Sequence, residues 1–278
     1  MESVLSKIRA VYGNMGRGEK KIADYILKHP KDVIHLSISE MASVCGCGDA
    51  TVFRFSKRLG YRGYQSLKIG IAQETVSFPD GGASITGEDS CFKIFEKRAS
   101  EITKAMESTR RVLKPEEMDK AVKAIIGADH IALFGLGNSA PIALDAQHKF
   151  LRAGLNAAAY CDNHMQAIVA SHLHSGDVAF GISHSGSSVD IVEALKLARK
   201  VGATTICITN YGQSPIVKVS DICLFTCAEE TRYTILAMSS RVVQLNIIDA
   251  IYTYILYHSE RAVKAVHETE RALESKKY

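Results

Sequence analysis

Residues 177–192 read DVAFGISHSGSSVDIV: an apolar run, a cluster of serines around one glycine, and then a helical pattern. Val178 to Ile182 has the length and composition of a buried parallel strand. Ser183, His184, Ser185, Gly186, Ser187 and Ser188 then sit where strand gives way to helix. A helix start offers backbone N–H groups without partners and the positive end of the helix dipole, so the spot suits an anion. Serine hydroxyls add donors, and the glycine lets a backbone approach closely. A phosphate group fits this chemistry.

The texture around that stretch decides the fold class. From His130 onward short strands and helices alternate, with candidate strands at His130–Phe134, Ala157–Tyr160, Val178–Ile182, Thr204–Ile208 and Ile222–Phe225. Helical patterns fill gaps at Ser139–Ala153, Val189–Val201 and Arg232–Tyr257. Such alternation predicts an α/β unit, a five-stranded parallel sheet covered on both faces. Ligands bind beyond the strand C-termini in sheets of this kind. Two small-residue loops fall there: GLGNS at 135–139, with Gly137, Asn138 and Ser139, and SHSGSS at 183–188.

The upstream chain is different. To about Ser77 only helical patterns occur, and Phe78–Ser90 (FPDGGASITGEDS) reads as a linker, since it has neither periodicity nor core-forming residues. A long helix follows, with Cys91, Ile94, Phe95, Ile102, Ala105 and Met106 on one side, and another spans Pro115–Ile126. A chain of 278 residues accommodates two domains. Met1–Ser77 holds twelve Lys and Arg against seven Asp and Glu, whereas the remainder is nearly balanced, so a polyanionic partner is expected at the N-terminal quarter. The N-terminus opens on an amphipathic helix (Val4, Leu5, Ile8, Val11) instead of a signal peptide, and no apolar stretch reaches membrane-spanning length. The seven cysteines read as reduced core thiols in a cytoplasm; neither Cys45/Cys47 nor Cys223/Cys227 is joined by a second pair at a metal-binding spacing. His172 and His174 would lie about 200° apart on a helix, which separates them as ligands. No cofactor is implied.

Ser37–Tyr64 reads SISEMASVCGCGDATVFRFSKRLGYRGY. Ser39 is placed to cap a short helix to about Cys45, Gly46–Gly48 make a tight turn, and a second helix runs from Asp49 to Leu59 and stops at Gly60. Val52, Phe55 and Leu59 share its inner face, leaving Ala50, Thr51, Arg54, Lys57 and Arg58 outward. This is the pattern of a helix-turn-helix whose second helix enters the major groove. Arg54 and Lys57 suit a phosphate or a base edge, Thr51 a base or the first phosphate, and Arg62 and Lys68 phosphates. Phe53 points outward, toward a neighbouring helix or a thymine methyl.

With GEKKIADYILKHP at 18–30, SISEMA at 37–42 and DATVFRFSKRLGYRGYQSLK at 49–68, the N-terminal segment resembles the DNA-binding domain of the RpiR family of bacterial transcriptional regulators. GLGNS and SHSGSS resemble the sugar isomerase (SIS) domain that completes those regulators, so the resemblance spans nearly the whole chain. Two positions depart from the family pattern: Gly48 where a serine commonly caps the recognition helix, and Ser188 where threonine commonly closes the phosphate loop. The resemblance implies a helix-turn-helix domain at 1–77, a linker at 78–90 and a SIS domain at 91–278. It also implies a regulator of carbohydrate metabolism that binds operator DNA as a homodimer or homotetramer and senses a phosphosugar.

In that reading Ser183, Ser185, Ser187 and Ser188 hold the phosphate, Gly186 admits it, Ser139 donates from the first loop and His184 lies alongside. Asn163 and His164 face the sugar hydroxyls together with Glu229 or Glu230, and Arg232, Ser239, Arg241 and Gln244 serve the rim or a subunit contact. The alternative is a sugar-phosphate isomerase with a helical appendage. Such an enzyme needs a carboxylate base, for which Glu229 and Glu230 are the candidates. A DNA-reading head argues against it.

Overall fold

The computed structural model describes residues 4–75, 85–228 and 238–276. They fall into two compact units, one built mainly from the chain up to Thr103 and the other mainly from Lys104 onward.

The first unit is helical: α1 (Val4–Val11), α2 (Arg17–Lys28), α3 (Pro30–Val33), α4 (Ile38–Val44), α5 (Asp49–Arg58) and α6 (Tyr64–Thr75). Ile8, Ile22, Ile26, Met41, Val52, Phe55, Leu67 and Ile71, one or two from each longer helix, are fully buried together. Ser37, not Ser39, caps α4: its hydroxyl accepts the Glu40 N–H while the Glu40 carboxylate accepts the Ser37 N–H. This reciprocal box needs an acid three residues after the cap, which Glu40 supplies for Ser37. Ser39 is buried instead. Gly46 (φ +58°) makes the turn and Gly60 (φ +86°) follows the end of α5, both in the left-handed region that other residues avoid.

A 22-residue helix, α7 (Cys91–Val112), comes next. Of the side proposed as its buried face only Ala105 is buried, while Cys91 and Phe95 are exposed. Then come α8 (Pro115–Ile126), β1 (Ile131–Gly135), α9 (Ala140–Arg152), β2 (Ala157–Tyr160), α10 (Asn163–His172), β3 (Val178–Ile182), α11 (Val189–Lys200), β4 (Thr204–Asn210), a single turn α12 (Pro215–Lys218), β5 (Ile222–Thr226), α13 (Met238–His258) and α14 (Glu260–Glu274). The strands form one parallel sheet in the order β2-β1-β3-β4-β5.

Alternate strand residues sort into two cores. Ile131, Leu133, Phe180, Ile182, Ile206, Ile208 and Leu224 pack with α8, α9, α13 and α14. Ala132, Phe134, Ala179 and Cys207 pack with α10 and α11 on the other face. Burial on both faces is why the strands read as unbroken apolar runs. β2 and β3 have the expected bounds, and β1 is shifted by one residue, to Ile131–Gly135. β4 and β5 run on to Asn210 and Thr226, because parallel ladders continue past the apolar residues. The last long helix is described only from Met238, and Arg232 of its expected start lies outside the described residues.

Candidate nucleic-acid interface and anion loop

In the helical unit, Ala50, Arg54, Lys57 and Arg62 are exposed and Thr51 is half-buried, while Val52 and Phe55 carry the buried face of α5. Gly48 occupies the N-cap with extended backbone and no side-chain cap, and Asp49 begins the helix. The Ser39 hydroxyl donates to Asp49 Oδ2 at 2.6 Å, linking α4 to the start of α5. Arg58 is committed elsewhere: its guanidinium pairs with Glu19 at 2.6 Å and donates to the Asn14 carbonyl at 2.6 Å. Lys68 donates to the Leu36 carbonyl at 3.0 Å. Phe53 is half-buried beside Gly63, where an added Cβ would stand 3.3 Å from its ring, and the Lys57 ammonium lies 5.6 Å from the ring centre. The outer face of α5 thus carries Arg54 and Lys57 as its reaching cations, with Arg58 holding the helix to α2.

In the α/β unit, chain order and strand order part company between β1 and β3. After β1 the chain crosses to β2 on one side, and β3 then begins the other half of the sheet. The loops leaving adjacent β1 and β3 diverge there and open a crevice at the strand C-termini. GLGNS lies on one side of that crevice and SHSGSS on the other.

The GLGNS loop folds back tightly on its own strand. A Cβ on Gly135 would stand 2.6 Å from the Ser139 carbonyl oxygen, so no larger residue fits. Gly137 adopts φ +54°, and Gly137–Ser139 form a 3₁₀ turn into α9. Gly137 and Asn138 are exposed, whereas Ser139 is buried and its hydroxyl makes no cap bond. In the SHSGSS loop the Gly186 N–H donates to the Ser183 carbonyl at 3.1 Å, with Gly186 at φ +60°. Ser183 is buried, and its hydroxyl lies 3.4 Å from that of Ser188, the N-cap of α11. Ser188 makes no side-chain cap bond, which leaves the first N–H groups of α11 without a side-chain cap. The Ser187 N–H donates to the Ser185 hydroxyl at 3.3 Å and its own hydroxyl to the Ser185 carbonyl at 3.1 Å. His184 is half-buried, its carbonyl accepting from Asn210 N at 3.0 Å, which pins the loop to β4. Gly181 gives the approach its closeness: a Cβ there would stand 2.7 Å from Leu195 on α11.

Asn163 and His164 are exposed at the start of α10, and the Asn163 amide donates to Asp190 on α11 at 3.3 Å. Glu229 and Glu230 lie outside the described residues. Ser239 and Gln244 are buried on α13, with the Gln244 amide nitrogen lacking a hydrogen-bond partner. His172 closes α10, while His174 lies beyond it beside Asp177 at 3.5 Å. Among the described residues no group of three or more His, Cys, Asp or Glu is placed to hold a metal, and no helix is long and apolar enough to cross a membrane. One participant escaped the sequence reading. Gln166 is fully buried, its amide donating to the Tyr160 carbonyl at 2.7 Å and reaching the Gly135 carbonyl at 3.5 Å, while its oxygen has no partner. It braces the C-terminal ends of β1 and β2. Its only signal was a polar residue within an apolar helical stretch.

Comparison with known proteins agrees with this architecture. A helix-turn-helix domain model of the rpiR family matches residues 2–77, and a SIS domain model matches residues 124–254. An uncharacterized HTH-type transcriptional regulator of Caldanaerobacter subterraneus subsp. tengcongensis is 40% identical over 278 residues, covering 99% of this chain and 96% of the relative. The HTH-type transcriptional regulator HexR of Pseudomonas aeruginosa is 35% identical over 257 residues, 91% of this chain and 89% of HexR. The structure of Vibrio vulnificus NanR, solved in complex with ManNAc-6P, superimposes with a TM-score of 0.83 at 24% identity, covering 99% of this chain and all of that one (100%). A helix-turn-helix unit followed by a SIS domain defines a transcriptional regulator. The chain belongs to the rpiR family.

Proposed function

We propose that the protein is a cytoplasmic regulator of carbohydrate metabolism that binds operator DNA as a homodimer or homotetramer and senses a phosphorylated sugar. In this reading residues 1–77 are the DNA-binding domain, 78–90 the linker and 91–278 the effector domain. The observation that carries it is the pairing of two hydroxyl- and glycine-rich loops, Gly135–Ser139 and Ser183–Ser188, across the crevice between β1 and β3. The phosphate takes the N–H groups and hydroxyls of Ser183, Ser185, Ser187 and Ser188 with Ser139 opposite, Gly137, Asn138, His184 and Gly186 shape its surroundings, and Glu229 reaches the sugar. Vibrio vulnificus NanR, of the same fold, was solved in complex with ManNAc-6P, which supports a phosphosugar as the ligand class.

Ala50, Thr51, Arg54, Lys57 and Arg62 face DNA, and Arg58 serves that face by fixing α5 through Glu19 and Asn14. Two such heads match the two-fold symmetry of paired half-sites. Effector and operator are coupled by no more than the effector's preference between two arrangements of the heads, typically about 1–3 kcal/mol. We assign no turnover to the crevice, since the relatives at 40% and 35% identity bear regulator names. Steady isomerisation of a ketose or aldose phosphate, lost on replacing Glu229 and Glu230, would reverse that assignment.

The test is a thermal-shift panel of sugar phosphates and their unphosphorylated parents on the full chain, followed by operator titration. A native-state ligand raises the melting temperature. A shift for one phosphosugar and none for its parent sugar supports the reading; no shift with any phosphosugar overturns the sensor.

A further inference from the structure

Five of the seven cysteines lie apart from one another or in the tight turn of the helix-turn-helix, but Cys207 and Cys223 are different. They are register partners on neighbouring parallel strands, Cys207 in β4 opposite Cys223 in β5. Both contribute to the apolar core on the α10–α11 face of the sheet, so their side chains leave the sheet on the same side. Adjacent strands lie about 4.7–4.9 Å apart, inside the Cα separation of about 4.4–6.8 Å that a disulfide spans. Burial separates their roles: Cys207 is fully enclosed, whereas Cys223 is half-buried on the edge strand.

We propose that Cys207 and Cys223 form an oxidation site, a dithiol that a hydroperoxide closes into an intrachain disulfide joining β4 to β5. The thiol chemistry fits that order of events. The neighbouring Cys207 thiol holds Cys223 below its usual range, against burial and the nearby carboxylates of Glu117 and Asp221, while Cys207, beside Cys223 and fully buried, is pushed well up. By contrast burial pushes Cys45 up to about 11 and raises Cys47 and Cys161. Thiolate character governs attack on peroxide. Cys223 sulfur attacks one peroxide oxygen: the S–O bond forms, the O–O bond breaks, and the departing hydroxide takes a proton as water. Cys207 sulfur then attacks the sulfenic sulfur of Cys223. The S–S bond forms, the S–O bond breaks, and the leaving hydroxide takes the Cys207 proton as a second water. Two thiols lose two electrons and one peroxide becomes two waters. A dithiol reverses the step by thiol–disulfide exchange.

The experiment exposes the full-length reduced protein briefly to hydrogen peroxide, quenches it, denatures it, alkylates free thiols and maps the peptides by mass spectrometry. The expected result is a fall from seven alkylatable thiols to five, with the Cys207 and Cys223 peptides joined and two hydrogens lighter than their sum. Dithiothreitol restores seven. In Cys207→Ser the resolving thiol is gone, and a dimedone adduct is expected on Cys223; in Cys223→Ser no link forms and Cys207 stays alkylatable. Oxidation of exposed Cys91 while Cys207 and Cys223 both remain alkylatable overturns the proposal. So does a link from Cys223 to Cys227 or to a second chain.

Discussion

The buried hydroxyl of Ser39 donates to Asp49 Oδ2 at 2.6 Å, so the first residue of α5 is tied to the first turn of α4. The two helices that must present a rigid reading face are therefore linked by a polar contact as well as by Met41, Val52 and Phe55. A hydrogen bond to a charged group contributes about 1.5–3 kcal/mol, and a half-exposed acceptor regains part of it from water. Ser39→Ala is expected to destabilise the chain by about 1 kcal/mol and to weaken operator binding. Urea denaturation with parallel operator titration checks both; unchanged values in each would remove the contact from the account.

Arg54 and Arg58 sit one turn apart on α5 with different employment. Arg54→Ala is expected to weaken operator binding by about 1–3 kcal/mol if it reads a base, or to reduce the salt slope by about one if it meets a phosphate. Fold and effector binding should be unaffected. Arg58→Ala breaks the pair with Glu19 and the bond to Asn14, so its first effect is on the melting temperature, within about 1 kcal/mol for a pair this exposed. Anisotropy titrations across salt concentrations separate the two.

Replacing Ser183 and Ser185 together by alanine removes hydroxyl donors from the SHSGSS loop while keeping its backbone. Each hydrogen bond to a charged phosphate is worth about 1.5–3 kcal/mol, so affinity for the effector should fall at least about tenfold. Operator affinity without effector should stay at the wild-type value. A wild-type effector response in the double variant would place the pocket elsewhere.

Gly135→Ala tests the loop on the other side of the crevice. The new methyl group would stand 2.6 Å from the Ser139 carbonyl oxygen, a backbone atom that cannot swing away. Overpacking of this kind costs about 1–3 kcal/mol. Displacement of Ser139 should also lower effector affinity, measured by calorimetry, by more than the stability change alone would cause.

Glu117 on α8 accepts the Cys223 N–H at 3.0 Å, closing part of the outer edge of β5, and Thr109 does the same for Cys227 N at 2.8 Å. Burial raises the Glu117 carboxyl, but hydrogen bonds from Lys120 and Cys223 N–H, helped by Lys114, bring it net below its usual 4.5. A depressed carboxyl stabilises the fold above the unfolded value and loses that contribution as pH falls through the folded one. Stability of the wild type should therefore drop below about pH 4.5, and Glu117→Gln should flatten that drop. Melting temperatures from pH 7 to 3 decide; identical acid slopes would discount Glu117.

Much of this protein was legible in its residues. Val178–Ile182 and Val189 onward stand as read, because an apolar run broken by glycine and serine is a local signal. Ala157–Tyr160 was equally plain. The α4 cap was misassigned because Ser37 and Ser39 both precede an apolar helix, and only the reciprocal bond with Glu40 decides between them. Helix α10 is hard to read locally, because its Met165 and Ile168 are exposed while its Gln166 is buried, which blurs the amphipathic pattern.

Sequence by itself determined which segments are strands and most of the helices, which loops carry hydroxyls, and where basic residues gather. Those properties reside in composition and in periods of a few residues. Strand order belonged to the tertiary structure. Placing β1 between β2 and β3 sets GLGNS beside SHSGSS and buries Gln166 across two strand ends, and pairing β4 with β5 brings Cys207 opposite Cys223. Each of these pairings joins residues distant in the chain, and it is the two-faced burial of the sheet, not any local preference, that selects them.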